Sequence, residues 1–433
     1  MSREMRETHH NWLGPIPKDW QLRAVKNFYP NMTTGFTPPS KQEELYDPDG
    51  DVWVNISDLN GSYVSDSKKH INHDYAMSKH KNELTPQGSL MYAFKLSVGQ
   101  VAFASCDLYT NEAIASFHPD KNIYLDFLKY SSSLIINNAE KNIYGANLLN
   151  QERIRNALIV YPPITEQQKI VHFLDRKCTA IDTAIEKTKK SIEKLEEYKK
   201  AVITKTVTKG IDPNAKMKDS GVEWIGEIPE SWKIRRIKTV GTYRNGLTYS
   251  PDDLTDETNG TLVLRSSNIK DGKLVLQDNL YVRTHISDKL RVQKGDILIC
   301  SRNGSRALIG KNALIDSDMD ASFGAFMMIY RSKDPYYIHW VLKSEMMSYY
   351  LASFTTSTIN QLIGSEFGNM YLPWPSNIQE RLQISNYLNS KCSSIDALVT
   401  RKQETINKWE EYKKSLIYYA VTGKIDCRNE VIE

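Results

Sequence analysis

The sequence predicts a mixed α/β fold, in which two globular α/β domains are separated by a long antiparallel helical (coiled-coil) rod and are related by an internal pseudo-twofold duplication. Two observations predict the duplication. The segment Trp12–Trp20 returns 212 residues later as Trp224–Trp232. Of the 49 positions that begin at Ile164 and at Ile378, 20 are identical. Self-similarity at a fixed offset indicates two copies of one structural unit.

A third observation predicts the rod. Apolar side chains recur every four and then three residues at Leu174, Cys178, Ile181 and Ile185, and again at Leu388, Cys392, Ile395 and Val399. A repeat of 3.5 residues keeps one seam of a helix facing a partner helix. Two such helices, each following a globular region, are expected to pair antiparallel. The alternative, that each helix packs only on its own domain, stays open at this point.

These patterns predict the boundaries of four segments. We expect a first globular domain over 1–163, a central rod helix over 164–212, a linker and second globular domain over 213–376, and a distal rod helix with a C-terminal tail over 377–433. Within the domains, short apolar runs between Asn, Gly and Asp turns predict strands at 52–56, 101–105, 113–117, 261–265, 273–277, 296–300 and 325–330. Helices are predicted over about 123–131 and 336–353.

Composition narrows the class of protein. The 56 basic and 52 acidic residues give a net charge of +4, which permits a polyanionic partner without requiring one. The chain has no long apolar run and begins with charged residues, so we expect a cytoplasmic protein without a membrane segment. Its five cysteines form no C-x-x-C pair and are expected to be reduced. Because no catalytic, cofactor-binding or metal-binding pattern is present, we predict a protein that is not itself an enzyme.

Polar, aromatic and basic loops at matched places in the two halves are the candidate binding residues. The loop Ser301–Arg306 follows a predicted strand, and the first half offers Ser105–Asn111 as its counterpart. Guanidinium and amide groups on such loops suit the recognition of base edges. Each loop alone is readily explained as a solvated turn, whereas matched loops favour a binding surface. The candidates are Arg265, Asn268, Arg302, Asn303, Ser305, Arg306, Thr358 and Asn360 in the second domain, and Tyr109, Asn111, Tyr144 and Asn147 in the first.

The chain resembles the DNA-specificity (S) subunits of type I restriction-modification enzymes along its whole length. The residues that carry the resemblance are Met217–Trp232, Pro162-Pro163 leading into Glu166–Ile170, Ile181-Asp182, Glu197–Lys199 and Thr208–Asp212. The second copy departs from this pattern at Asn377–Leu382, where the Glu-Gln-Gln helix start of the first copy is altered.

The resemblance implies a non-catalytic subunit that binds double-stranded DNA. In that family two target-recognition domains each read one half of a split site, and the paired helices set the gap and dock two methyltransferase subunits. We therefore expect an asymmetric bipartite site, two methyltransferase (M) subunits and motor-nuclease (R) subunits as partners, with S-adenosylmethionine, ATP and Mg bound by those partners and no cofactor in this chain. Two alternatives stay open: a twin-domain protein-protein adaptor with a helical dimerisation rod, and a related recognition subunit of another defence complex.

Overall fold

The structure of the chain is a computed structural model that describes residues 3–39, 41–95, 97–138, 140–141, 147–353 and 361–431. It has the mixed helix and sheet composition that the sequence predicts. The chain divides into two compact units, of which the first contains Met1–Lys187 and Thr405–Glu433 and the second contains Thr188–Glu404. Each unit therefore contains one globular domain and part of each long helix.

The two long helices are Ile164–Lys209 and Ile378–Val421. Seven of the eight seam residues named above are buried: Leu174, Cys178, Ile181, Ile185, Leu388, Cys392 and Ile395. This burial is what the 3.5-residue apolar repeat predicts for paired helices.

The helices run antiparallel in the first unit. Lys413 Nζ lies 2.7 Å from Asp182 Oδ2. Nearer the start of the central helix, Lys169 Nζ donates to the carbonyl of Arg428, which follows the distal helix, at 2.6 Å. Residue numbers thus rise along one chain segment as they fall along the other. In the second unit, the equivalent residues Lys199 and Asp396 form an ion pair of the same kind.

The first turn of each long helix is hydrogen-bonded to a buried tryptophan. Trp20 Nε1 donates to Glu166 at 2.9 Å, and Trp232 Nε1 donates to Glu380 at 2.8 Å. Each glutamate is the third residue of its helix, where a negative charge is stabilised by the helix N-terminus. The repeated Trp motif is therefore a device that fixes the start of each long helix to its domain.

The altered helix start of the second copy makes a similar contact with a different residue. Gln167 Nε2 donates to the carbonyl of Pro162 at 2.8 Å in the first unit. Arg381, which stands at the equivalent position, donates to the carbonyl of Pro375. Its guanidinium also lies 3.2 Å from Asp334 and 4.3 Å from the centre of the Trp374 ring. In both copies a side chain of the first helical turn thus bonds to a proline carbonyl before the helix, although Pro375 is one residue earlier than the equivalent of Pro162.

A short hairpin lies near the start of each domain. Met5 pairs with Pro17 in the first hairpin, and Met217 pairs with Pro229 in the second. The paired strands are Met5–Arg6 with Ile16–Pro17, and Met217–Asp219 with Glu227–Pro229. Both partners are displaced by the same 212 residues as the sequence repeat, so the two copies share their hydrogen-bonding register.

The first domain is built around a five-stranded sheet and a three-stranded sheet. The five-stranded order is Met32–Thr34, Ile114–Phe117, Leu90–Ala93, Val101–Ala104 and Tyr63–Val64, and the three-stranded order is Tyr109–Thr110, Tyr46–Val54 and His70–Ile71. Further pairs are Gln21–Ala24 with Leu158–Tyr161 and Glu140–Lys141 with Asn147–Leu148. Its short α-helices are His73–Lys79, Leu125–Ser131 and Gln151–Asn156.

The second domain has two four-stranded sheets. One has the order Gly241–Asn245, Met327–Ser332, Ile297–Cys300 and Asn312–Leu314, and the other Leu254–Thr255, Tyr281–Val282, Thr261–Leu264 and Ala321–Phe323. Further pairs are Lys233–Arg236 with Tyr371–Trp374 and Ile269–Lys270 with Lys273–Leu274. Its short α-helices are Pro335–Lys343, Glu345–Ala352 and Gly364–Asn369.

Two predicted elements of the second domain differ in extent. The predicted helix over 336–353 is two helices separated at Ser344, whose hydroxyl donates to the carbonyl of Val341 at 2.6 Å. The predicted strand over 273–277 is confined to Lys273–Leu274. It ends there because Val275 bonds to Asn268 instead, through its N–H at 2.8 Å and its carbonyl at 3.1 Å.

Candidate functional site

The second domain has an open cleft of about 960 Å³ on its surface. Four chain segments line it: 247–249, 265–267, 302–304 and 324–327. Its walls combine apolar and aromatic side chains with polar and basic ones, and none of the described lining residues is acidic. Such a cleft suits an anionic or hydrogen-bonding ligand with flat apolar faces.

A close backbone crossing forms the floor of the cleft. Strands Thr261–Leu264 and Ala321–Phe323 lie parallel, and Leu247 N donates to Phe323 O at 2.7 Å where a third segment crosses them. A Cβ atom on Gly246 would lie only 2.3 Å from the Phe323 carbonyl oxygen. Glycine is therefore required at position 246, because any side chain would force the crossing apart.

Arg265 lies at one side of the cleft with part of its donor capacity unused. Its Nη2 donates to the carbonyl of Asp278 at 2.7 Å. Its Nε is buried and has no hydrogen-bond partner within the residues that the structure describes. A guanidinium has five N–H donors and no acceptor, so this side chain can donate further hydrogen bonds to a ligand oxygen or nitrogen.

Arg302 also lines the cleft, beside an exposed aromatic ring. Its guanidinium carbon is 5.2 Å from the centre of the Phe326 ring, and Phe326 is 58% exposed. Stacking on a ring orients the planar guanidinium while leaving its N–H donors available. Tyr249 also lines the cleft. Phe326 and Tyr249 were not among the sequence candidates. The sequence offers one signal for this part of the chain, because Thr34-Gly-Phe-Thr37 in the first copy is similar to Asn245-Gly-Leu-Thr248 in the second.

The remaining second-domain candidates fall in different places. Asn303 lines the cleft and donates to Ser266 Oγ at 3.3 Å. Ser305 and Arg306 are exposed in the same loop but do not line the cleft. Asn268 is fully buried, and its amide group accepts from Arg265 N at 2.9 Å. We withdraw Asn268 as a ligand-contacting residue because its polar atoms serve the backbone.

Two predicted residues of this domain, Thr358 and Asn360, lie outside the described residues, and so does Tyr144 of the first domain. Asn147 lies in the strand Asn147–Leu148.

The first domain contains the same crossing. Strands Tyr46–Val54 and Tyr109–Thr110 lie parallel, and Phe36 N donates to Thr110 O at 2.9 Å. A Cβ atom on Gly35 would lie 1.8 Å from that oxygen. Gly35 therefore corresponds to Gly246, and Thr110 to Phe323.

The order of the strands corrects the predicted counterpart of the Ser301–Arg306 loop. In the second domain Ile297–Cys300 pairs with Met327–Ser332, and in the first Leu90–Ala93 pairs with Ile114–Phe117. The residue after each strand makes the same bond, from Ser301 N to Phe326 O and from Phe94 N to Ala113 O, both at 3.0 Å. The counterpart of Arg302 is therefore Lys95, and the loop Ser105–Asn111 is not the equivalent loop.

The two first-domain candidates from that loop lie in the interior. Tyr109 is 1% exposed, and its hydroxyl contacts Met77 Sδ at 3.7 Å. Asn111 is buried, donates to Asn55 Oδ1 at 2.7 Å and accepts from Ala113 N at 3.1 Å. We withdraw both as ligand-contacting residues because their side chains are committed to the fold.

The surface that corresponds to the cleft in the first domain has different chemistry. Strand register places Asn55 where the second domain has Arg265, and Glu112 where it has Ala325. Thr37 donates its hydroxyl to Glu112, which is exposed. That hydrogen bond, aided by the charge of Lys95, holds the pKa of Glu112 below its ordinary value. We call Thr37, Asn55, Lys95 and Glu112 the first-domain rim, and Thr248, Arg265, Arg302 and Phe326 the second-domain rim.

Comparisons with known proteins define the class. Residues 17–197 match the family model of the type I restriction modification DNA specificity domain. The MjaVIII specificity subunit of Methanocaldococcus jannaschii is 24% identical over 431 residues, covering 96% of this chain and 95% of its own. The StySPI specificity subunit of Salmonella potsdam is 24% identical over 207 residues, covering 46% and 44%.

Solved structures agree on the fold. A chain from a study of complex assembly and conformational transition in a type I restriction-modification system superposes with a TM-score of 0.70 at 16% identity, covering 95% of this chain and 99% of that one. The HsdS subunit from Thermoanaerobacter tengcongensis gives 0.50 at 15% identity, covering 95% and 98%.

The chain is thus similar to DNA-recognition proteins of the restriction-modification class. Its similarity to type I specificity subunits extends along almost its whole length, as the sequence motifs indicated. The members of this family are recognition subunits and not catalysts, which agrees with the prediction that the chain is not itself an enzyme. Among the described residues, no helix is both long and apolar enough to cross a membrane.

Proposed function

We propose that the chain reads an asymmetric bipartite sequence in double-stranded DNA, one half with each domain rim, and thereby directs a type I complex to its site. The observation that carries the proposal is the repeated backbone crossing with unlike rims. Equivalent positions hold Arg265 and Arg302 in one domain and Asn55 and Lys95 in the other. Different hydrogen-bonding groups at equivalent positions bind different base edges, so the two half-sites differ in sequence.

Arginine forks favour guanine, whose O6 and N7 accept a bidentate pair of hydrogen bonds. We therefore expect guanine in the half-site read by the second domain. The flat faces of Phe326 and Tyr249 add apolar contact, for example with a thymine methyl group.

Selection from a library of randomised duplexes by the purified full-length chain tests the proposal. The bound pool should yield two short conserved blocks separated by a non-specific gap. Replacing 224–375 with the corresponding region of a relative should change one block and leave the other unchanged. A simultaneous change of both blocks, or a pool without any conserved block, would contradict the proposal.

We propose that the two long helices set the gap. Adding seven residues keeps the 3.5-residue repeat in phase and lengthens a helix by about 10 Å. With a rise of about 3.4 Å per base pair, matched insertions after Lys187 and Arg401 should lengthen the preferred gap by about three base pairs. An unchanged gap in a spacer library would contradict this role.

We further propose that the helices dock two methyltransferase (M) subunits and that motor-nuclease (R) subunits complete the complex. Tyr198 and Tyr412 support two like docking positions, because they occupy equivalent places in the segments Glu196–Lys200 and Glu410–Lys414 and are 49% and 51% exposed. Exposed tyrosines are frequent anchors of protein interfaces. Substituting one tyrosine with Asp should lower the bound M subunits from two to one, as measured by native mass spectrometry, and substituting both should abolish binding. Retention of two M subunits by both single variants would contradict this assignment.

In such a complex S-adenosylmethionine, ATP and Mg belong to the partner subunits, and methylation and cleavage take place there. Because restriction-modification acts on DNA within the cell, we place the complex in the cytoplasm. Sequencing that detects methylated bases in host DNA, with and without this gene, tests the assignment in the cell.

A further inference from the structure

The first-domain rim contains a carboxylate at a position where a DNA-binding surface ordinarily avoids one. Glu112 is exposed at the turn between strands Tyr109–Thr110 and Ile114–Phe117. A duplex presents a dense row of phosphates, which repel a carboxylate. An acidic side chain there therefore lowers affinity for DNA in general unless it meets a hydrogen-bond donor.

The fold holds this turn rigidly. The buried Asn111 bonds through its side chain to Asn55 Oδ1 at 2.7 Å and to Ala113 N at 3.1 Å, on either side of the crossing. Phe94 N ties the neighbouring loop to the same turn through Ala113 O at 3.0 Å. With both of its neighbours fixed, Glu112 has its backbone in one position and its side chain outward.

The carboxylate itself is positioned by Thr37. The close approach of Gly35 to Thr110 brings Thr37 beside the turn, where its hydroxyl donates to Glu112 Oε2. This hydrogen bond and the nearby Lys95 charge lower the pKa of Glu112, so the side chain is ionised at neutral pH. An ionised carboxylate only accepts hydrogen bonds and offers about four lone-pair positions, so capacity remains after the bond from Thr37.

Only two groups on the major-groove edges of the bases donate hydrogen bonds: the N4 amino group of cytosine and the N6 amino group of adenine. We propose that Glu112 is a specificity-determining residue of the first domain and accepts a hydrogen bond from one of these exocyclic amino groups. The inference rests on the proposed function, since it assigns a base-reading role within the first-domain rim. Ala325 at the equivalent position of the second domain cannot accept such a bond.

Base analogues that lack the amino group test the contact directly. In a duplex carrying the selected sequence, each cytosine of the first-domain half-site is replaced in turn by 2-pyrimidinone and each adenine by purine. The wild-type chain should lose roughly tenfold to a hundredfold in affinity at one position. Glu112→Ala should bind the natural and the substituted duplex equally, because the two changes remove the same hydrogen bond. The sensitive position shows whether the base is cytosine or adenine.

A second readout separates this role from a structural one. Glu112→Ala removes a repulsive charge, so it should bind unrelated duplexes more tightly than the wild type while discriminating less at the half-site. Glu152→Ala removes another exposed carboxylate of the same domain, in the helix Gln151–Asn156, and should leave the selected sequence unchanged. Glu112→Gln keeps the shape and the bond from Thr37, and should shift the preference toward adenine, which Gln contacts through N6 and N7.

Two results would overturn the inference. One is a wild-type chain that selects a bipartite sequence but tolerates every amino-deleted base in that half-site. The other is a Glu112→Ala chain, with wild-type thermal stability, that remains as sensitive to the analogue as the wild type. A wild-type chain that selects no sequence at all would instead contradict the proposed function itself, so the two failures are distinguishable.

Discussion

The two domains share a backbone frame and differ at the rim that it supports. In both, a glycine crosses a parallel strand pair at a distance that excludes a Cβ atom, at Gly35 and at Gly246. The residues displayed around that crossing are unlike, with Glu112 in one domain and Ala325 in the other. The shared backbone frame is held by buried hydrogen bonds between main-chain atoms. The rim consists of side chains whose identity is not restricted by packing. A duplicated chain can therefore change what it binds without changing how it folds.

Removing the tryptophan at either helix start should have the largest effect on stability. Trp20 is 2% exposed and Trp232 is fully buried, and each donates to a glutamate of the following helix. We expect Trp20→Ala and Trp232→Ala each to lower the free energy of unfolding by about 3–5 kcal/mol, because a large buried ring is lost. Urea unfolding measures the change, and hydrogen exchange shows which unit opens.

The conservative variants sharpen this comparison. Trp20→Phe should retain most of the stability, since Glu166 keeps its ion pair with Arg3. Trp232→Phe should also be mild, since Glu380 is partly exposed and can bind water. A change below about 1 kcal/mol for either alanine variant would mean that the tryptophan does not fix the helix start.

Replacing the glycine at either backbone crossing with alanine should distort the backbone of that domain alone. A Cβ on Gly35 meets Thr110 O at 1.8 Å, and a Cβ on Gly246 meets Phe323 O at 2.3 Å. We expect each alanine variant to lose about 3 kcal/mol, near the upper end for overpacking, because main-chain atoms must move. Duplex selection should then show that Gly35→Ala weakens only the first-domain half-site and Gly246→Ala only the second. Gly304→Ala is the control for the stability measurement alone, because nothing lies within 4 Å of a Cβ there but the residue lines the cleft.

Sequence reasoning succeeded where the signal was local. The 3.5-residue apolar repeat defined both long helices because each turn repeats the same requirement. It failed where burial depends on pairing between distant strands. Tyr109 and Asn268 have the polar character of binding residues, yet Tyr109 lies in a parallel strand pair and Asn268 caps the backbone of Arg265.

The mistaken loop equivalence has the same origin. The runs Leu90–Ala93 and Val101–Ala104 are both short, apolar and followed by polar residues, so either could match Ile297–Cys300. Only the neighbours of each strand in the sheet decide between them, and those neighbours are far away in sequence. For this reason Lys95 and Glu112 were missed.

Lowering the pH should change the stability of the two domains in opposite directions, because burial shifts the pKa of one group in each domain. His339 is buried, and desolvation with the nearby Lys343 charge lowers its pKa to about 3. The unfolded chain therefore binds a proton below about pH 6.5 that the folded chain does not, and stability falls as pH falls between these values. From pH 7 to pH 5 we expect a loss of about 2 kcal/mol.

In the first domain, burial raises the pKa of Asp126, so protonation of that residue favours the folded state as pH falls. Denaturant unfolding at several pH values measures both trends. His339→Gln should remove the loss assigned to the second domain. An unchanged pH dependence in that variant would show that another group is responsible.

Removing the ion pairs between the long helices should have the smallest effects on stability. Lys413 pairs with Asp182 in the first unit, and Lys199 pairs with Asp396 in the second, at equivalent positions. The Lys199 side chain is 15% exposed and that of Lys413 is 31% exposed. Solvent-exposed pairs contribute about 0.2–1 kcal/mol, because water screens the charges and ordering long side chains costs entropy.

We therefore expect Lys413→Met to cost less than about 1 kcal/mol, and Lys199→Met to cost somewhat more because its partner is less well solvated. Added salt should weaken the first effect more than the second, since exposed charges are screened more strongly. Double-mutant cycles with Asp182→Asn and Asp396→Asn isolate each coupling energy. Equal couplings with equal salt dependence would show that the difference in burial has no consequence, and that the two halves of the duplicated helix pair are energetically alike where their domain rims are not.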